Sequence, residues 1–175
     1  MTVIDGRVFV LLPDDDSLGD TNKYWEEAMR QISSQMSPDD CIESITIRAH
    51  GANFGFGQLL AKRLKDSKNG QSTFLDGLKG MRCKKTCIID VQACSVAAGA
   101  QGKTLISEVA VKTGFTVRAW DGPVRGFNHY GKQWEADPSG KTPVEIYDSK
   151  KHYNPSSGDK TKSLSKCCGC ELFSR

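Results

Sequence analysis

The sequence predicts an α/β domain: a mostly parallel sheet flanked by helices, with a β-hairpin added after the last parallel strand. Three observations carry this reading. Four short apolar runs, residues 7–12, 44–49, 86–93 and 115–120, recur along the first 120 positions. The segments between them are long enough for crossovers and contain helical patterns, the alternation expected of strands that all run the same way. Finally, 175 residues with 38% hydrophobic and 26% charged side chains suit one soluble domain with an adequate core.

The first run, RVFVLL at 7–12, is continuously apolar, as a strand buried on both faces should be, and it stops at Pro13 and three aspartates. Asp20 or Thr21 then caps a helix over 24–33, with Trp25, Met29 and Ile32 on one side, and Pro38-Asp39-Asp40 breaks it. The second strand, SITIRA at 44–49, runs straight into His50-Gly51. A glycine-rich turn over 51–57 leads to an expected helix carrying Leu59, Leu60 and Leu64. Residues 66–82 read as a polar, basic excursion with a short apolar patch. The third strand occupies 86–93 and ends at Cys94; a helix over 104–113 is closed by Gly114, and the fourth strand fills 115–120. Segments 132–136 and 144–148 flank Asp137-Pro138-Ser139-Gly140 and predict an antiparallel hairpin at a sheet edge. The domain therefore spans 1–150, and 151–175 reads as a flexible basic tail containing Cys167, Cys168 and Cys170.

Charge and cysteine usage limit the function classes. The formal net charge of +3 hides an asymmetry: residues 1–43 carry ten acidic against three basic side chains, and the remainder carries eleven against twenty-one. The basic part suits an anionic activator. The chain lacks the interleaving of basic and aromatic residues that lines single-strand nucleic-acid grooves, so no nucleic acid is expected. No apolar run is long enough to span a bilayer, and the N-terminus lacks the basic flank and long apolar stretch of a signal peptide, so no membrane partner is expected. Seven cysteines, an odd number at irregular spacing, point to free thiols in a reducing, cytoplasmic compartment. Cys83 with Cys87, and Cys167-Cys168-Gly169-Cys170, contain ligand-like pairs, but their contexts differ and no metal or cofactor is expected.

Ligands of open parallel sheets collect beyond the C-terminal strand ends. Two of the four predicted strands place a chemically capable side chain there, His50 after the second and Cys94 after the third. An imidazole that takes the thiol proton and later protonates a leaving group makes such a couple a nucleophilic catalyst. The Gly51 N–H, with that of Cys94, is the expected oxyanion hole, and Ser95–Gly102 is small enough to leave room for a substrate.

These motifs, Ser44–Gly51 (SITIRAHG) and Ile88–Cys94 (IIDVQAC) followed by SVAAG, resemble the caspase-like clan of cysteine peptidases, which includes caspases, gingipains, clostripain and toxin autoprocessing domains. Gln92-Ala93-Cys94 matches the first half of the caspase signature, with a histidine 44 positions upstream where the signature has about 50. Ser95-Val96 departs from its second half, which favours the bacterial branches. The resemblance implies a three-layer sandwich and a thiol endopeptidase acting on a protein or peptide substrate. It also implies that Trp120 and Asp121 wall the pocket for the residue before the scissile bond, where an acid favours a basic residue, and it allows an effector delivered into another cell.

Two other readings stand beside it. The same fold without catalysis is a binding domain. Ala97–Thr104 (AAGAQGKT) also fits a relaxed phosphate loop before a helix, although Ala97 stands in place of glycine and only 71 residues follow Thr104. A cysteine phosphatase is excluded, because the position six after Cys94 is Ala100 rather than arginine. His129 and His152 read as surface residues, with His129 near the active edge.

Overall fold

The computed structural model describes residues 2–4, 6–11, 21–57, 59–60, 64, 70–125 and 128–149. The tail at 151–175 and the capping candidate Asp20 lie outside them. The described strands are β1 (Thr2–Ile4), β2 (Arg7–Leu11), β3 (Ser44–Arg48), β4 (Gly51–Ala52), β5 (Gly55–Phe56), β6 (Leu59–Leu60), β7 (Ile88–Gln92), β8 (Thr116–Trp120), β9 (Val124–Arg125), β10 (Asn128–His129), β11 (Lys132–Ala136) and β12 (Val144–Asp148). The helices are α1 (Thr21–Gln35), α2 (Gly70–Met81) and α3 (Gly99–Thr113).

Seven strands form one sheet in the order β1-β2-β3-β7-β8-β11-β12. The central four, β2, β3, β7 and β8, are parallel, and they are the four apolar runs of the sequence. The hairpin β11–β12 is antiparallel and joins β8 through β11, as the turn at 137–140 predicts. β1 adds an antiparallel edge on the other side. The chain thus forms the expected α/β architecture, a mostly parallel sheet flanked by helices.

Alternation decides what each strand buries. Ile45 and Ile47 of β3, Ile89 and Val91 of β7, and Val117 and Ala119 of β8 are all buried in one core, as the two-residue strand period requires. Helix α1 presents Trp25, Ala28, Met29 and Ile32 to it at the spacing of one helical face. It packs on α2, which in turn packs on α3. Trp25 meets Phe74 at 4.6 Å between ring centroids. A Cβ on Gly77 would lie 2.4 Å from the Met29 sulfur, so a larger residue there would displace the Met29 side chain.

Two expectations are corrected. The stretch after the glycine-rich turn is not helical at Leu59–Leu60. These residues form β6, which pairs with β5, itself paired with β4, in a small three-stranded sheet. Glycines at 51, 55 and 57 favour tight reversals, and strand pairing overrides the leucine spacing. The supposed excursion at 66–82 contains α2, whose Phe74, Leu75 and Leu78 are buried. Gly70, Gly77 and Gly80 depress its intrinsic propensity, and tertiary packing supplies the stability.

The expectation of seven free thiols, and the argument for a reducing compartment drawn from it, is corrected as well. Cys41 and Cys83 form a disulfide across a Cα–Cα distance of 4.9 Å. Reciprocal bonds, Ile42 N–H to Met81 C=O and Cys83 N–H to Ile42 C=O, bring the entry of β3 against the end of α2 and set the two side chains together. The cross-link closes a sequence separation of 42 residues. Reduction is expected to remove about 3–4 kcal/mol of stability, read as a lower urea midpoint in dithiothreitol, with no change in a Cys41→Ser/Cys83→Ser variant.

Candidate active site

The register of the two central strands explains the spacing of the two candidate residues. β3 and β7 pair in parallel from Ser44↔Ile88 to Arg48↔Gln92, a constant offset of 44. His50 and Cys94 share that offset, each two residues past the last paired residue of its strand. The ladder continues to Ala49, whose N–H donates to Gln92 C=O at 3.5 Å, one residue before His50 and two before Cys94. Each chain then turns away. His50 is exposed, and its carbonyl accepts the Gly57 N–H at 2.8 Å, closing the small β4–β6 sheet above the strand end.

Gly51 locks the two strand ends together. A Cβ there would lie 2.7 Å from Ala93 Cβ, 2.7 Å from Val96 Cγ2 and 2.9 Å from Cys94 O. The backbone after the histidine therefore rests directly on the backbone of the nucleophile candidate, and no larger residue fits. The Gly51↔Phe56 pair, with Gly57 N–H bonded to His50 C=O, is the non-hydrogen-bonded kind. That ladder leaves the Gly51 N–H unused, as an oxyanion donor beside Cys94 requires.

Cys94 heads a tight turn. Ser95 follows with φ 54°, the left-handed region, and is the described non-glycine residue there. Ser95 N–H donates to Gly122 C=O at 2.9 Å and Ala97 N–H to Trp120 C=O at 2.9 Å, so the turn is tied to the end of β8. Strain of this sort persists only where its surroundings enforce it. Ser95→Gly is expected to relieve about 1 kcal/mol, seen as a higher urea midpoint.

The thiol is covered. Cys94 is 2% exposed and packs with Trp120 and Val124, apart from the main core. Its Sγ donates to Val124 C=O at 3.6 Å and accepts the Val124 N–H at 3.4 Å. β9 and β10 form a two-pair hairpin in which His129 lies directly across from Val124. The His129 ring stacks on Trp120 at 4.7 Å between centroids, and Tyr147 meets Trp120 edge-on at 5.6 Å. Val124 and Tyr147 carried no signal in the sequence; only the return of the chain over the strand ends brings them here. His129 reaches the active edge by the same return.

Trp120 lies beside Cys94, but Asp121 faces the hairpin. Its Oδ1 accepts the Lys132 N–H at 2.7 Å and its Oδ2 accepts the Trp134 indole N–H at 3.0 Å. The carboxylate thus fastens β11 to the end of β8, a structural role that removes the sequence argument for a basic substrate residue.

The glycine-lysine-threonine segment is packed rather than open. Gly102 is buried, and a Cβ there would fall 2.3 Å from Val96 O. Gly102 N–H donates to Ala98 C=O within the first turn of α3. The Lys103 ammonium lies 3.4 Å above the centre of the Trp134 ring. Among the described residues, no group of three or more His, Cys, Asp or Glu is placed to hold a metal ion, and no helix is long and apolar enough to cross a membrane.

No curated protein and no solved structure matches the chain. One family does, over residues 21–153, a span that holds α1, the parallel strands from β3 to β8, both candidate residues and the C-terminal hairpin. The chain belongs to that family, described as a domain of unknown function (DUF4347).

Proposed function

We propose that this chain is a cysteine hydrolase of the peptidase type, with Cys94 as nucleophile and His50 as general base and acid. The observation that carries the reading is the shared offset: a histidine and a cysteine each stand two residues past the last paired residue of adjacent parallel strands, joined through Gly51. Neither is a mid-strand packing residue, and each leaves the sheet at the edge where open α/β folds bind ligands.

In this reading His50 takes the Cys94 thiol proton, and the resulting thiolate attacks the carbonyl carbon of a peptide bond. The carbonyl oxygen gains the negative charge and is met by the Gly51 N–H. As the tetrahedral intermediate collapses, the C–N bond breaks and His50 returns the proton to the departing amine, leaving a thioester on Cys94. A water molecule, deprotonated by His50, then releases the acid and restores the thiol. Trp120 and Tyr147 offer an aromatic wall next to the nucleophile.

The test is labelling by a peptidyl probe bearing a thiol-reactive carbonyl, mapped by mass spectrometry. Wild-type protein is expected to carry the adduct on Cys94, Cys94→Ala to carry none in that peptide, and His50→Ala to label far more slowly. Equal labelling of Cys94 with and without His50 overturns the assignment of the couple.

A further inference from the structure

We propose that the basic turn at 79–85, where α2 ends and the chain heads for β7, is a docking surface for an acidic segment of a partner protein. This inference stands apart from the peptidase reading. Between Gly77 and Thr86 the chain carries Lys79, Arg82, Lys84 and Lys85 and no acidic residue. All four are exposed. Among the described residues one carboxylate pairs with any of them, that of Glu43, 2.5 Å from the Lys85 ammonium. Lys79, Arg82 and Lys84 have no ion-pair partner among the described residues. Like charges held this close repel one another and raise the local potential, and an incoming anion relieves both.

The fold holds these charges in place. The Cys41–Cys83 disulfide and the Ile42↔Arg82 bridge staple the turn to the entry of β3. Beyond it, Ile88 N–H donates to Glu43 C=O at 3.1 Å. Arg82 is oriented along its side chain. Its Nη1 donates to Lys85 C=O at 3.4 Å, and its stem passes Gly114, the residue that closes α3, where a Cβ would lie 3.2 Å from Nε and 3.5 Å from Cδ. A guanidinium fixed in this way keeps further N–H donors for a carboxylate and loses little freedom on binding one.

The surroundings select the partner's chemistry. Among the described residues, the large apolar side chains that stand exposed are Val111, Val144, Ile146 and Tyr147, all on α3 or β12. This turn therefore has no apolar wedge for a membrane. No aromatic residue lies between 77 and 86 for nucleic-acid bases to stack on. What it offers is a short row of cations, the complement of an extended acidic peptide whose carboxylates repeat the Glu43–Lys85 contact. The turn lies at the entry ends of β3 and β7, whereas His50 and Cys94 follow their exit ends. A partner docked here leaves that edge open.

The test is fluorescence anisotropy of a labelled oligoglutamate peptide titrated with the full chain at low salt. Arg82→Glu/Lys84→Glu is expected to raise Kd by about tenfold. Lys141→Glu, which reverses an exposed cation between β11 and β12, is expected to leave it unchanged. Cys41→Ser/Cys83→Ser is expected to weaken binding by about two- to fivefold with every charge still present, because the turn is no longer held for its ligand. Urea midpoints taken alongside show that the charge variants are folded. Three results overturn the proposal. The first is no binding by wild type. The second is binding that survives Arg82→Glu/Lys84→Glu, or that falls equally with Lys141→Glu, which places the attraction elsewhere on the chain. The third is that wild type binds phosphatidylserine vesicles more tightly than the peptide and the double variant releases them, which makes the surface a membrane contact. None of these readouts involves hydrolysis, so a chain that binds the peptide here yet cleaves none sinks the peptidase reading and leaves the docking surface standing.

Discussion

Replacing Cys94 with alanine is expected to lower kcat/KM for peptide hydrolysis by on the order of 10⁴-fold or more, to the solution background, because the covalent route disappears with the nucleophile. His50→Ala is expected to lose about 10²–10⁴-fold, the usual worth of a positioned base and acid. Because the two side chains act as one unit, the double variant is expected to be no worse than Cys94→Ala alone. His50 is exposed at the strand end while Cys94 is sheathed, so His50→Ala leaves the core intact and its urea midpoint is expected to match wild type. A hydrolysis rate that survives Cys94→Ala excludes the mechanism. A loss accompanied by an equal fall in stability shows instead that Cys94 serves packing with Trp120 and Val124.

The second large effect belongs to Gly51. A methyl group added there meets Ala93 Cβ and Val96 Cγ2 at 2.7 Å and Cys94 O at 2.9 Å, and two of the three are fixed by backbone position. Gly51→Ala must push β4 away from the turn after β7. Overpacking of this kind costs about 1–3 kcal/mol. A displacement of near 1 Å between base and nucleophile costs about 10²-fold in rate. Both are expected together, measured as the urea midpoint and kcat/KM. Gly80→Ala is the contrasting case. A Cβ at Gly80 in α2 meets nothing within 4 Å, so that variant is expected to gain about 0.5–1 kcal/mol from helix propensity and to leave hydrolysis unchanged.

Much of the frame was legible because it depends on local pattern. The four apolar runs became β2, β3, β7 and β8. The turn residues at 137–140 became the β11–β12 hairpin, with both strands where the sequence placed them. Gly114 closes α3 in the left-handed conformation at φ 75°, as a glycine after a helix should. Helix α2 escaped notice because three glycines mask its periodicity, although Phe74, Leu75 and Leu78 do mark one face. Leu59 and Leu60 misled for the opposite reason: their spacing suits a helix, yet β5 offered a strand partner. Pairing between distant cysteines is likewise invisible in spacing, since the bridge Ile42↔Arg82 that aligns Cys41 with Cys83 forms only in the folded chain.

By itself, then, the sequence determined that His50 and Cys94 end strands, and their separation of 44 turned out to be the register of β3 on β7. The parallel direction of the central strands follows from apolar runs separated by crossover-length segments, a pattern written locally. The tertiary structure alone decided what surrounds the thiol. Asp121 turned toward β11, Gly51 was pressed onto the turn at Cys94, and Val124 was laid across Cys94. Those outcomes depend on where the chain returns after leaving the sheet, and such close approaches are set by packing between residues far apart in sequence.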